Sequence, residues 1–151
     1  MNKLASCALL IGLLPGAPAY ADRAASEIDA FMKEYDRLWN AEDIEAISSR
    51  IYRFDVSDPR ATPDGLKRYF SDLKAQGFDH TVYHSIQTCL LARDTALAVQ
   101  RYTRFKADGS VMPPAERQTI YMINRVSIGW RITETFMADA TATVTCTSYK
   151  P

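Results

Sequence analysis

The sequence predicts an α+β domain, and three observations carry that expectation. Apolar residues recur at helical spacing between residues 22 and 77, the period drops to two beyond Gly77, and the strand-like runs that follow are joined by short reversals. The expected arrangement is three N-terminal helices packed in a strongly curved mixed or antiparallel sheet. At 151 residues the chain suits a single domain, since one of this size buries roughly two-thirds of its unfolded surface.

The first 21 residues read as a secretion signal. Lys3 supplies a short positive region, Leu4 to Leu14 an apolar one, and Ala19-Tyr20-Ala21 a small-x-small cleavage site. Eleven apolar residues fall short of the ~20 that a membrane span requires. Cleavage after Ala21 would place a domain of residues 22–151 in the periplasm or outside the cell, free of the membrane.

From Asp22 to about Asn40, Ile28, Phe31, Met32, Tyr35, Leu38 and Trp39 form one helical face, with Asp22 or Ser26 as its expected cap. A short second helix, with Ala41, Ile44 and Ile47 on its buried line, is expected to end near Arg50. Ile51 to Val56 alternates briefly, as a short strand or edge segment would, before Asp58-Pro59 breaks the run. Thr62-Pro63-Asp64 then places a cap, a first-turn proline and an acid ahead of a third helix, which Gly77 stops.

Four strands are expected at Phe78 to Leu91, Thr95 to Lys106, Arg117 to Val126 and Trp130 to Met137, and a fifth at Ala142 to Thr147. Arg93-Asp94 reads as a hairpin turn, and Ser127-Ile128-Gly129 as another. The stretch Asp108-Gly109-Ser110 through Met112-Pro113-Pro114 reads as a loop, either a stiff surface connection or a lid, because proline cannot continue a ladder. In the last strand, strict alternation puts Trp130, Ile132, Glu134 and Phe136 on one face and Arg131, Thr133, Thr135 and Met137 on the other.

Composition excludes several classes of function. Removing the signal takes Lys3 with it and leaves 17 basic against 18 acidic residues, with no basic cluster of the kind nucleic acid demands. The chain has no Gly-rich phosphate loop, no Gly-x-Ser-x-Gly elbow and no His-Glu-x-x-His segment. His80 and His84 would stand about 13 Å apart on a strand, too far for one ion, so no metal is expected. No cofactor is implied. Cys89 and Cys146 remain after signal removal, either as a bridge in an oxidising compartment or as two separate buried thiols.

The order of elements, the Asn40-Ala-Glu-Asp-Ile-Glu-Ala-Ile break between the first two helices and the closing Gly129-Trp130-Arg131-Ile132 resemble the nuclear transport factor 2-like superfamily. This is the cystatin-like cone shared with ketosteroid isomerase, scytalone dehydratase and polyketide-cyclase-like (SnoaL-like) proteins. The resemblance covers essentially all of the chain from Asp22. It implies a ligand entering the open end of the cone, with Tyr35 and Trp39 contributed by the helix and His84, Arg101, Tyr121 and Glu134 by the strands. The isomerases it resembles use an inward carboxylate as base and a Tyr or protonated acid as donor. Here Glu134 and Asp55 are the carboxylates and Tyr35 or Tyr121 the donors, but no local motif matches those catalytic positions.

Three readings of function follow. One is an exported protein binding a small apolar or carboxylate-bearing molecule in an apolar cone, with Arg101 paired to Glu134 or gripping the ligand's carboxylate. Another is an isomerase- or cyclase-like enzyme. The last is a homodimeric assembly module whose outer sheet face, at Tyr102, Ile120 and Met122, packs on a second copy.

Overall fold

The computed structural model describes residues 17–53, 60 and 62–145. Helix α1, Ala17–Asn40, buries Ala24, Ile28, Met32, Tyr35, Leu38 and Trp39 along one stripe. The expected caps Asp22 and Ser26 lie inside it, because the alanine-rich stretch before them is itself a strong helix former. A polar row flanks the stripe at spacings of seven and four. Asp29 Oδ1 accepts from Thr88 Oγ1 (3.0 Å), Asp36 Oδ1 from Gln100 Nε2 (2.7 Å), and Asn40 bonds both backbone groups of Thr81 (2.9 Å each). These contacts fix the helix on the sheet in rotation as well as position.

Glu42 turns the chain with φ 52°, its carboxylate 2.6 Å from Lys74 Nζ. Asp43 then caps helix α2, Ile44–Ala46, accepting from the Ala46 N–H. The second helix does not continue as a regular one to Arg50. It widens into a π-helical turn, Ile47–Ile51, which buries Ile47, Ser48 and Ile51. Tyr52 follows in extended conformation with a single parallel bridge to Ile132. The rest of the expected short strand, Asp55 included, lies outside the described residues. Helix α3, Pro63–Ala75, begins as its sequence predicts, with Thr62 Oγ1 accepting from Gly65 N (3.1 Å) and Leu66, Phe70 and Leu73 buried. Gly77, at φ 89°, makes the left-handed exit that a side chain would resist.

The sheet is a four-stranded antiparallel meander in the order β1 (Phe78–Ala92), β2 (Thr95–Lys106), β3 (Val111–Val126), β4 (Gly129–Ala138). Ala96, Ala98, Gln100, Tyr102 and Arg104 of β2 share its inner face. The two alanines, both fully buried, let α1 approach closely. Tyr102, expected on the outer face, therefore points inward.

Three of the sheet's register irregularities bear on which side chains face the cone. Strand β3 starts at Val111, not Arg117. The Pro113–Pro114 pair, joined by a cis bond, sits in a bulge between the pairs Arg104↔Met112 and Tyr102↔Arg117, where no ladder hydrogen bond is needed. The loop before it shrinks to residues 107–110. His84 is the bulged residue of β1, between Tyr83↔Tyr102 and Ser85↔Arg101. A bulge in β4 separates Ile123↔Ile132 from Met122↔Glu134 and reverses the parity of everything after it. Trp130 and Ile132 face inward, and so do Thr135 and Met137, whereas Glu134 and Phe136 face out.

No fifth strand forms in residues 142–145. After β4 the chain turns back across the outer face, where Gln118 Nε2 donates to the carbonyls of Asp139 (3.2 Å) and Ala142 (3.3 Å). Cys89, buried in β1, is disulfide-bonded; Cys146 lies outside the described residues. No described helix is long and apolar enough to cross a membrane.

Candidate functional site

The curled sheet closes around α1, and the cone's interior is filled by its own aromatic side chains. Tyr35 stands edge-on to Trp39, Tyr52 and Tyr121, with ring centroids 5.7, 6.1 and 5.6 Å away. The π-helical turn delivers Tyr52 to this cluster, its hydroxyl 3.2 Å from that of Tyr35. The space left at the mouth measures about 10 Å³, room for roughly one water. Among the described residues the mouth is a narrow polar cleft between Trp39, Thr81, Tyr83, Tyr102 and Arg104.

Arg104 dominates that cleft. Only 6% exposed, its guanidinium carbon lies 5.5–5.9 Å from the ring centroids of Trp39, Tyr69, Phe78 and Tyr102. Such contacts stabilise a cation more as water is excluded. Burial works against its charge, but the phenols of Tyr69 and Tyr102 outweigh it and leave its pKa raised. Nη2 donates to Tyr69 Oη (3.0 Å), whereas Nε is buried without an acceptor. Directly across the strand pair, Thr81 Oγ1 is buried without a partner too. No carboxylate is among the cleft's described lining residues. Arg117 adds to the positive field nearby: its Nη2 is held by the carbonyls of Met112 (3.3 Å) and Pro113, and burial, then Arg104, lowers its pKa.

A second polar feature runs from α1 into the cone. Burial raises the Asp36 carboxyl to about 7, against the opposing hydrogen bond from Gln100. Gln100 Oε1 in turn accepts from Tyr121 Oη (3.3 Å), beside Tyr35 and Tyr52. The Tyr35 and Tyr121 hydroxyls are held well above the ordinary phenol range, chiefly by burial. Half of Asp36 is therefore protonated near neutrality, in hydrogen-bonded connection through Gln100 with Tyr121.

Of the six side chains expected in the cone, Tyr35, Trp39 and Tyr121 are there. His84, Arg101 and Glu134 are on the opposite face. His84 was displaced by its bulge and bonds Thr103 Oγ1 (2.7 Å); Glu134 was turned outward by the bulge in β4 and is exposed. Arg101 has the parity opposite to the inward alanines, and its guanidinium turns to Gln118 Oε1 (2.9 Å) and the Ala142 carbonyl (3.2 Å), not to Glu134. Sequence reasoning missed Arg104, Thr81 and Asp36. Counting by twos from Ala96 and Ala98 reaches Arg104, and the 29/36/40 spacing marks Asp36 as sheet-facing. No group of three or more His, Cys, Asp or Glu side chains among the described residues could hold a metal ion.

An antiparallel sheet curled around one long helix, with its mouth beside the third helix, defines the cystatin-like cone. The chain belongs to the NTF2-like protein family DUF6841, whose profile matches residues 26–140. Solved structures agree on the fold. An NTF2-like superfamily protein from Salmonella enterica serovar Typhimurium LT2 is similar at 12% identity and TM-score 0.59, over 89% of this chain and 100% of the other. An NTF2-like protein with a cystatin-like fold from Novosphingobium aromaticivorans gives 18% and 0.59, over 86% and 94%. An NTF-2-like protein of unknown function from Shewanella oneidensis MR-1 gives 15% and 0.58, over 77% and 99%. No curated protein matches the chain by sequence.

Proposed function

We propose that this protein, exported and freed of its first 21 residues, binds a small aromatic carboxylate at the mouth of the cone, with Arg104 as the anchor. The observation that carries this reading is the pair of buried, unpartnered polar atoms facing one cleft, Arg104 Nε and Thr81 Oγ1, with no protein carboxylate among the cleft's described lining residues. Leaving a buried polar group unsatisfied costs about 1–3 kcal/mol, and an acceptor brought by a ligand recovers it. A carboxylate suits the planar fork of a guanidinium. The surrounding rings suit a flat apolar body, and admitting one requires the cleft to widen beyond its present volume of about 10 Å³. One ordered water is the competing occupant.

The test is calorimetric titration of the protein with 4-hydroxybenzoate and phenylacetate, repeated on Arg104→Lys and Arg104→Met. Saturable binding that both substitutions weaken at least about tenfold is expected, because Lys keeps the charge but not the fork. Binding that is absent, or unchanged in both variants, would overturn the proposal.

Asp36 supports a second reading, an isomerase- or cyclase-like enzyme with this carboxyl, and not Glu134, as base. A pKa of about 7 lets one group accept and return a proton near neutrality. Turnover of a bound enolisable ketone, lost in Asp36→Asn while its binding persists, would favour this reading over binding alone.

A further inference from the structure

A separate space lies on the other side of the sheet. The segment that leaves β4 is pinned by a turn in which Asp139 Oδ1 accepts from Thr141 N (2.8 Å) and Thr141 Oγ1 (2.7 Å). It then passes over β3 and β2 as a strap. Gln118, 1% exposed, and Arg101 both donate to the Ala142 carbonyl, and Arg101 Nε also donates to Gln118 Oε1. Between strap and sheet remains a cavity of about 230 Å³, lined by Ser85, Gln87, Val99, Arg101, Gln118 and, from the strap, Thr143 and Val144.

This space has a definite chemistry. A dry cavity of ~150 Å³ takes benzene, so one of about 230 Å³ holds a molecule of roughly nine non-hydrogen atoms. Val99 and Val144 give an apolar floor and roof. Ser85, Gln87 and Thr143 give neutral hydrogen-bonding groups, and Arg101 gives a positive charge with no carboxylate among the cavity's described lining residues. Arg101 commits part of its fork to Gln118 and Ala142, and these two bonds orient the remaining N–H groups. The apolar side chains lining it are aliphatic, where those of the cone mouth are aromatic.

We infer that the cavity beneath the strap is a second binding site, selective for a small aliphatic carboxylate held by Arg101 and roofed by Thr143 and Val144. It is independent of the cone mouth, since the sheet separates the two and they share no lining residue.

The experiment is a titration of the 15N-labelled full chain with pentanoate and with cyclohexanecarboxylate, following amide shifts in two-dimensional NMR. Saturable shifts are expected at Ser85, Gln87, Gln118 and Thr143, with Thr81 and Tyr83 unmoved. Arg101→Lys should weaken binding about tenfold, the loss of one charge-assisted hydrogen bond. Val99→Phe should fill the floor and abolish it. Gln87→Trp, at an exposed position on edge strand β1, blocks the cavity from its side and serves if Val99→Phe does not fold. No shifts up to tens of millimolar, or shifts at Thr81 and Tyr83 alone, would overturn the inference, the latter leaving the cone-mouth proposal standing. Undiminished binding to a folded filled-cavity variant would overturn it as well.

Discussion

Replacing Asp36 by Asn gives a pH-dependent gain in stability that can be worked from the structure. The carboxyl titrates near 3.8 in the unfolded chain and at about 7 when folded, because burial disfavours its ionised form. Each pKa unit is worth 1.36 kcal/mol, which puts a ceiling of roughly 4 kcal/mol on the effect; partial exposure of the group reduces this to about 2 kcal/mol. The folded state holds the proton more tightly, so stability falls as the pH rises between the two values. The stability lent by the protonated form is fully present below about 3.8 and is gone once the pH has passed through about 7.

Asn keeps the oxygen that accepts from Gln100 Nε2 and never ionises. Asp36→Asn should therefore match the parent in urea unfolding at pH 4 and exceed it by about 2 kcal/mol at pH 8, with an unchanged m-value. Taking the difference between the two proteins at each pH cancels every other titrating group. A variant less stable than the parent at pH 8, or offset by the same amount at both pH values, would refute the reasoning.

Further outcomes are expected elsewhere. Proteolytic mapping without reduction should recover a peptide joining Cys89 to Cys146, since Val144 lines the same cavity as Gln87, which shares the strand and face of Cys89; a peptide containing Cys7 would contradict this. Closing that loop of 57 residues is worth roughly 4 kcal/mol, so reduction should lower the urea midpoint substantially. Protein recovered from the exported fraction should begin at Asp22 by intact mass. Because α1 begins at Ala17 and Tyr20 donates to the Arg93 carbonyl (2.6 Å), a chain starting at Asp22 should be about 1 kcal/mol less stable than one retaining Tyr20, as measured by denaturant unfolding. Glu27 accepts from Trp130 Nε1 (3.3 Å) and pairs with Arg125 (3.0 Å) in a solvent-accessible setting. Glu27→Gln should cost under about 1 kcal/mol, a loss that shrinks as salt is added to the same assay.

The elements of the fold were legible because their causes are local. The stripe from Ile28 to Trp39, the Thr62-Pro63 start, the Gly77 stop and the two-residue turn at Arg93-Asp94 each depend on a few neighbouring residues, and each formed as its chemistry requires. The family resemblance rests on the order of the elements, the Asn40-to-Ile47 break and the closing Gly129-Trp130-Arg131-Ile132, and the matched region, residues 26–140, spans them.

Which side chains face the cone was decided elsewhere. A bulge arises when paired strands differ in length over a stretch, a property of two strands together that neither sequence displays alone. One extra residue in β1 set His84 aside, one in β4 turned Glu134 out, and a longer bulge absorbed Pro113 and Pro114 into β3. Arg101 differs from these, since the neighbouring alanines already fixed its parity. The burial that raises the Asp36 carboxyl and leaves Arg104 Nε without an acceptor exists only once α1, α3 and the sheet have closed around them. Local chemistry sufficed for the first and third helices, the tight turns and the order of the elements, because short-range sterics and hydrophobic period fix those. Tertiary structure alone decided the charge and direction of the candidate site, because these depend on register and desolvation, which only the assembled sheet supplies.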